Sequence, residues 1–348
     1  MGVSLFTLES LTDPKVVEQT CKRYGITLTR GAGQNFLIDP DVARDMVAAG
    51  QVTKKDRVIE VGPGLGPLTL ALAEKAGEVV AVEKDPRVCE ALCDIIQPYS
   101  NVRLVQGDIL KISNEKLFLS PSPQSSPQRG EEVETRGSHA RGDMRQGRRG
   151  YKVVANLPYS ITSAALRKFT ESEPRPEMVV VMVQKEVAER VCAGLGEMSV
   201  LSVAVQFYGK PEIVRIVPRT AFWPEPQVDS AILRITMREE PPTFAPSPQS
   251  SPRRGEEVEE RGSRARSGEE EERGAHARGE AGEKIFFQLV KIGFSSRRKQ
   301  LQNNLAAGFR VSSETAKQWI MSAGLDPKIR AQDLSMEEWG RLCIQINK

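Results

Sequence analysis

Arg57-Val58-Ile59-Glu60-Val61-Gly62-Pro63-Gly64-Leu65-Gly66 (57–66) is the stretch on which the fold turns. A short apolar, strand-like run passes directly into a glycine turn, and the helical pattern PLTLALAEKAG (67–77) follows. Glycine lets backbone approach a ligand closely, and the start of a helix offers free N–H groups. The spacing is GxGxG, not the GxGxxG of dinucleotide-binding loops, and a bare glycine turn is a weak signal because ordinary tight turns look the same.

Working outward, four more β-rich runs occur at EVVAVE (78–83), VRLVQ (102–106), YKVVAN (151–156) and MVVVMVQ (178–184). They alternate with helix-like stretches at about 67–76, 85–96, 161–172 and 185–193. This alternation predicts a mostly parallel central sheet with helices on both faces, an α/β fold of Rossmann-like kind. The runs at 200–209, 212–218 and 230–237 are expected to supply the far edge of the sheet. From about 284 the pattern changes: FFQLVKIGF, RRKQLQNNLAAGF, SETAKQWIMSAG and SMEEWGRLCIQI read as amphipathic helices of a small C-terminal α-helical domain. The expected organisation is N-terminal helices over 1–50, the Rossmann-like domain over 51–240 and the helical domain over 284–348.

Two segments stand apart. Residues 120–141 recur as 245–266, matching at eighteen of twenty-two positions, and both copies run on in Gly, Arg and Glu. They have no apolar periodicity with which to repay the entropy of ordering a backbone, so 120–150 and 245–283 are expected to be disordered loop insertions. Arms that touch RNA are the functional alternative. With 13 Arg against 14 acidic residues, their balanced charge makes poor phosphate binders. The first copy lies between Asp108 and Asn156, and the sequence suggests that it begins near the active-site edge.

Composition excludes several chemistries. The only two histidines, His139 and His276, lie inside the insertions, so the folded core has no imidazole for a histidine base or a His-ligated zinc. Five cysteines form no CxxC pair and read as reduced, mostly buried thiols, and no metal site is expected. No apolar run approaches the roughly 20 residues of a membrane span, and the N-terminus lacks the pattern of a signal peptide. A cytoplasmic monomer is the expectation.

The ends of the successive strands carry the chemistry. Glu83 closes the second strand, 21 residues beyond Gly62, where a carboxylate can accept both ribose hydroxyls. Asp108 follows the third and can receive an adenine amino group. The fourth ends in Asn156-Leu157-Pro158-Tyr159. An adenine N6 amine is a poor nucleophile because its lone pair is delocalised into the ring. The Asn156 side-chain oxygen and a backbone carbonyl can accept its two N–H bonds and aim the lone pair at a methyl donor. Pro158 keeps Leu157 extended and adds no competing donor, while Tyr159 offers a face for an unstacked base.

Taken together, Gly33-Gln34-Asn35-Phe36-Leu37, the EVGPGLG loop, Glu83, Asp108, NLPY and Phe222-Trp223-Pro224-Glu225-Pro226-Gln227-Val228-Asp229-Ser230 resemble the ribosomal RNA adenine N6-dimethyltransferases. Within that family they look most like the small-subunit (16S) group linked to kasugamycin sensitivity. The resemblance implies a class I methyltransferase fold and S-adenosyl-L-methionine as cofactor. It implies cofactor contacts from Gln34, Asn35, Leu37, Gly62 and Gly64, with Glu83 on the ribose and Asp108 on the adenine. Asn156 would meet the target amine, flanked by Leu157, Pro158 and Tyr159, with Phe222 as a second aromatic contact. The implied substrate is a pair of neighbouring adenosines in the 3′-terminal hairpin of 16S rRNA, within the 30S subunit. Phe294–Asn304 resembles the same group's C-terminal region, where Ser296 can cap a helix while Arg297, Arg298 and Lys299 reach phosphates. A 23S rRNA or DNA adenine methyltransferase, or an assembly factor with weak or no catalysis, remain alternatives.

Overall fold

The computed structural model describes residues 6–27, 35–119, 150–242, 244 and 282–347. Residues 120–149 and 245–281, nearly all of the two insertions expected at 120–150 and 245–283, and Gln34 lie outside the described residues. The chain divides into two compact units, Met1–Glu189 with Gly209–Glu239, and Arg190–Tyr208 with Glu240–Lys348.

The first unit opens with α1 (Leu8–Leu11), α2 (Pro14–Arg23), the short strand β1 (Phe36–Leu37) and α3 (Pro40–Ala49). The sheet segment then runs β2 (Arg57–Val61), α4 (Pro67–Lys75), β3 (Glu78–Glu83), α5 (Pro86–Ile96), β4 (Val102–Gln106) and α6 (Asn114–Leu119). It continues with β5 (Tyr151–Asn156), α7 (Thr162–Glu171), β6 (Met178–Gln184) and α8 (Lys185–Val191), which crosses into the second unit. After α9 (Val200–Tyr208) the chain returns as β7 (Gly209–Val217), β8 (Phe222–Trp223) and β9 (Ser230–Met237). Three helices start on the same device. Asp13, Asp39 and Asp85 each accept a backbone N–H two residues on, at 2.8, 2.9 and 2.9 Å, and proline takes the first helical position, where no N–H is missed.

The seven-stranded sheet has the order β4-β3-β2-β5-β6-β9-β7. Strands β2 to β6 are mutually parallel, and β9 is antiparallel to both β6 and β7. This is the Rossmann-like methyltransferase architecture expected, and the inner strands show why they read as unbroken apolar runs. Val79–Ala81, Val153–Ala155 and Val179–Val183 are completely buried, covered on both faces. The edge strand β7 instead alternates, leaving Val214 and Ile216 exposed.

Two sequence expectations are corrected in the second unit. Val200–Tyr208, read as an edge strand, is the helix α9. Its apolar run VLSVAVQFY is short and continuous, a pattern that does not separate a buried helix from a strand. The unit's other helices are α10 (282–293), α11 (Leu301–Phe309), α12 (Ser313–Ser322) and α13 (Met336–Ile346). Aromatic packing holds α9 to α10, with the Phe207 and Phe286 ring centroids 4.8 Å apart. Arg297–Lys299, read as part of a helix capped by Ser296, instead form an exposed turn before α11. Buried Asn304 explains the stop: its Nδ2 donates to the carbonyls of Gly293 and Ser296 at 2.5 and 3.0 Å, tying the turn to α11.

The first insertion also connects differently from the expectation. Asn114 at the start of α6 donates to the carbonyls of Ser172 and Pro174, just before β6 begins, and Leu117 accepts from Arg103 early in β4. On the far side, Tyr151 at the start of β5 pairs with Arg57 at the start of β2. Both flanks therefore lie at the amino edge of the sheet.

Gly66 (φ 86°) makes the turn from β2 into α4, and a Cβ there would meet Leu92 Cδ1 at 2.7 Å. Gly66→Ala should destabilise the first unit by about 1–3 kcal/mol, combining left-handed strain with the clash. Urea unfolding followed by circular dichroism checks this, and an unchanged midpoint would contradict it.

Candidate active site

Parallel strands place their carboxyl ends on one edge, and the strand order reverses at β2, which has β3 on one side and β5 on the other. A crevice opens at such a reversal. Here it is a cavity of about 800 Å³. Its walls include Asn35, Leu37, Gly62, Gly64, Glu83, Asp108, Asn156, Leu157, Pro158, Tyr159 and Phe222. Those residues, singled out in six separate stretches of sequence, are thus brought to one place. Arg297, Arg298 and Lys299 belong to the other unit, where they are exposed.

A two-stranded ribbon draws in the segments that the main sheet does not carry. β1 and β8 pair antiparallel, Phe36 with Trp223 and Leu37 with Phe222, and Ile38 N–H donates to the Ala221 carbonyl at 2.8 Å. Asn35 and Phe222 thereby enter the same wall, although Phe222 itself is almost wholly buried. On the floor, Gly62 and Gly64 have φ of 63° and 58°, which glycine adopts without strain. A Cβ on Gly62 would lie 3.5 Å from Pro158 Cδ, so the glycine loop and the Asn156 tetrapeptide are packed against each other. α4 begins at Gly66 with no side-chain cap, leaving its first N–H groups without a side-chain acceptor.

The carboxylates differ in their surroundings. Glu83 Oε1 accepts the N–H groups of Lys84 and Asp85 at 2.7 and 2.8 Å, which fixes the side chain at the end of β3. Burial pushes its carboxyl above the ordinary range, against those N–H donors. Asp108 is held below it, first by the Leu110 N–H at 3.1 Å and then by the Lys84 ammonium 3.2 Å away. On the opposite wall, Asn156 ends β5 opposite Met182 of β6. Tyr159 sits on a single 3₁₀ turn (Tyr159–Ile161), its hydroxyl 2.8 Å from Ser230 Oγ.

A search of protein-family models identifies residues 27–246 as ribosomal RNA adenine dimethylase. The chain belongs to that family. The ribosomal RNA small subunit methyltransferase A of Dehalococcoides mccartyi strain CBDB1 is 39% identical over 322 residues, covering 92% of this dimethylase and 89% of that protein. The protein of the same name from Pelotomaculum thermopropionicum is 34% identical over 335 residues, covering 95% and 96%. Among solved structures, the 23S rRNA methyltransferase ErmE aligns with a TM-score of 0.58 at 23% identity, over 90% of this chain and 100% of that one. A dimethyladenosine transferase from Plasmodium falciparum gives 0.58 at 21%, over 89% and 97%. These two likenesses establish the fold.

Two further acidic residues that the sequence reading passed over line the dimethylase cavity: Asp85, which is paired with Arg87, and Glu60. Glu60, on β2, lines the wall at 1% exposure. Its Oε2 has no hydrogen-bond partner, and neither has the neighbouring Thr69 hydroxyl. The available signal was a lone charge inside an apolar strand covered on both sides. Burial, with a smaller push from Glu83, raises the Glu60 carboxyl from 4.5 to about 8.

Between those values the folded state holds a proton that the unfolded state has released. Glu60 therefore stabilises the fold most below about pH 4.5, and its contribution is lost as pH rises to about 8. Replacing it with a permanently neutral isostere, Glu60→Gln, should flatten the decline in stability of the dimethylase between pH 5 and about 8. Urea midpoints across that range test this; parallel wild-type and variant curves would contradict it.

Proposed function

We propose that this dimethylase uses S-adenosyl-L-methionine to dimethylate the N6 amines of two adjacent adenosines in the 3′-terminal hairpin of 16S rRNA, within the 30S subunit, contributing to small-subunit biogenesis. The observation that carries this reading is the shared cavity, which unites Gly62, Glu83, Asp108 and Asn156 from the ends of four adjacent strands. The names of its relatives, ribosomal RNA small subunit methyltransferase A, favour 16S over 23S rRNA.

The residues present suit the cofactor. Its methionine end carries an ammonium, and Glu60 offers a buried carboxyl oxygen without a partner. Glu83, its Oε1 gripped by the Lys84 and Asp85 N–H groups, presents its carboxylate to ribose hydroxyls. Asp108 stays ionised as an acceptor for the adenine amine once Lys84, whose ammonium is well exposed, swings aside. Asn35 and Leu37 close the methionine end, with the Gly62 and Gly64 backbone beneath it; Gln34 belongs to the same segment.

S-adenosyl-L-methionine supplies a methyl group bonded to a positively charged sulfur. The protein's part is positional: the Asn156 side-chain oxygen accepts a target N–H, Leu157 and Pro158 hold the backbone extended, and Tyr159 and Phe222 supply aromatic surface for the base. The amine sheds its extra proton to water after transfer, so a site without histidine suffices. Arg297, Arg298 and Lys299, exposed on the helical unit, contact rRNA phosphates. No helix among the described residues is long and apolar enough to cross a membrane, and we place the protein in the cytoplasm as a monomer.

Incubating it with labelled cofactor and unmethylated 30S particles, 50S particles or duplex DNA tests the reading. Label in 30S rRNA as N6,N6-dimethyladenosine is expected, and label only in 50S particles or DNA would overturn it. Asn156→Ala should lower turnover by on the order of 100-fold with cofactor affinity nearly unchanged, since its contact is with the target amine. Equal losses in both quantities would contradict the assigned role.

A further inference from the structure

The antiparallel strand β9 brings an unexpected group to the reaction edge. Five parallel strands end there, whereas β9 begins there, so its first residue, Ser230, faces the same side as Asn156. Register gives the spacing: Asn156 lies opposite Met182 of β6, and Ser230 lies opposite Gln184 of β6. The tetrapeptide therefore crosses the end of β6, and the Tyr159 hydroxyl meets Ser230 Oγ at 2.8 Å.

Ser230 is completely buried and paired on both sides, with Gln184 of β6 and Val217 of β7. The residue before it is anchored as well. The Asp229 carbonyl accepts the Lys185 N–H at 3.0 Å, and the Asp229 carboxylate accepts the Arg219 N–H at 3.0 Å, at the foot of the loop that carries Phe222. A hydroxyl on so fixed a backbone is a rigid stop. By contrast, the turn bearing Tyr159 is closed by backbone contacts such as Ile161 N–H to the Pro158 carbonyl at 3.1 Å, which do not set the direction of the tyrosine ring.

We propose that Ser230 is a positioning residue for methyl transfer, holding the Tyr159 ring at the angle at which it receives the target adenine. This rests on the assignment of Tyr159 as the base's aromatic platform. The pair also keeps the phenol oxygen occupied, so the ring presents its face, not a competing hydrogen-bonding group, to the base. Asp229 and Ser230 together tie the two aromatic residues assigned to the base, Phe222 and Tyr159, to one strand start.

Two measurements test this. The chain has five tyrosines, so protein labelled with 3-fluorotyrosine should give five fluorine resonances, and Tyr159→Phe assigns one of them. Ser230→Ala should move that resonance and leave the other four in place. In single-turnover transfer to unmethylated 30S particles at saturating cofactor, Ser230→Ala and Tyr159→Phe should each slow the reaction about 3- to 10-fold, as expected for one lost hydrogen bond. The double variant should be no slower than the slower single one within about twofold, because both changes remove the same contact. Cofactor affinity should stay within about twofold. An unmoved Tyr159 resonance, or multiplicative losses in the double variant, would overturn the proposal. A wild-type protein that left 30S particles unlabelled would count against the proposed substrate, while the fluorine spectra would still decide whether Ser230 orients the ring.

Discussion

The reversal of strand order at β2 is the constraint on which the site depends. Because β3 and β5 flank β2 on opposite sides, the chain leaving β2 and the chain leaving β5 depart in different directions, and neither fills the gap between them. The glycine loop lines one side of that gap and the Asn156 tetrapeptide the other, with Gly62 against Pro158. A side chain at Gly62 would require its left-handed backbone to change, and the loop would then no longer lie flat beside the tetrapeptide. The spacing between the glycine loop and the Asn156 tetrapeptide is in this way a property of sheet topology and one glycine contact.

Electrostatics follows the same layout. Among the four carboxylates that line the cavity, three sit at different depths, and depth sets their character. Glu60, fully enclosed, retains its proton near neutrality; Glu83, half-buried and gripped by backbone N–H groups, is pushed up less; Asp108, near the surface beside Lys84, is held down. Such a gradient suits a ligand that is cationic at its methionine end and neutral at its base. It also means that the deepest carboxyl adds no negative charge to a free site in which Asp108 is already paired with Lys84.

Much of this was legible in the sequence. The five parallel strands could be bounded almost to the residue because burial on both faces forces continuous apolar runs, and the strand-end residues fell where an α/β sheet must bind its ligands. What escaped had physical causes. Val200–Tyr208 is too apolar and too short for periodicity to distinguish helix from strand. The turn at Arg297–Lys299 depends on Asn304, whose hydrogen bonds reach back eight and eleven residues. Glu60 was overlooked because it sits inside the motif whose glycines drew attention, and Ser230 because its partner Tyr159 is 71 residues away in sequence.

The topology also shows where the described flanks of the first insertion attach. The first joins α6 to β5, and both flanks meet the amino edge of the sheet, as Asn114, Leu117 and Tyr151 show. β9, the last strand before the second insertion, is antiparallel and therefore finishes at that same edge, where the Met237 N–H donates to the Glu177 carbonyl at 3.1 Å. The antiparallel strand thus serves two ends of the sheet: it starts beside Tyr159, contributing Ser230, and it stops at the edge opposite the cavity. Loop closure grows only slowly more costly with length, so such attachment points tolerate long additions. The sequence distance between Asp108 and Asn156 is lengthened by the first insertion, but their spatial relation is set by β4, β3, β2 and β5 lying side by side.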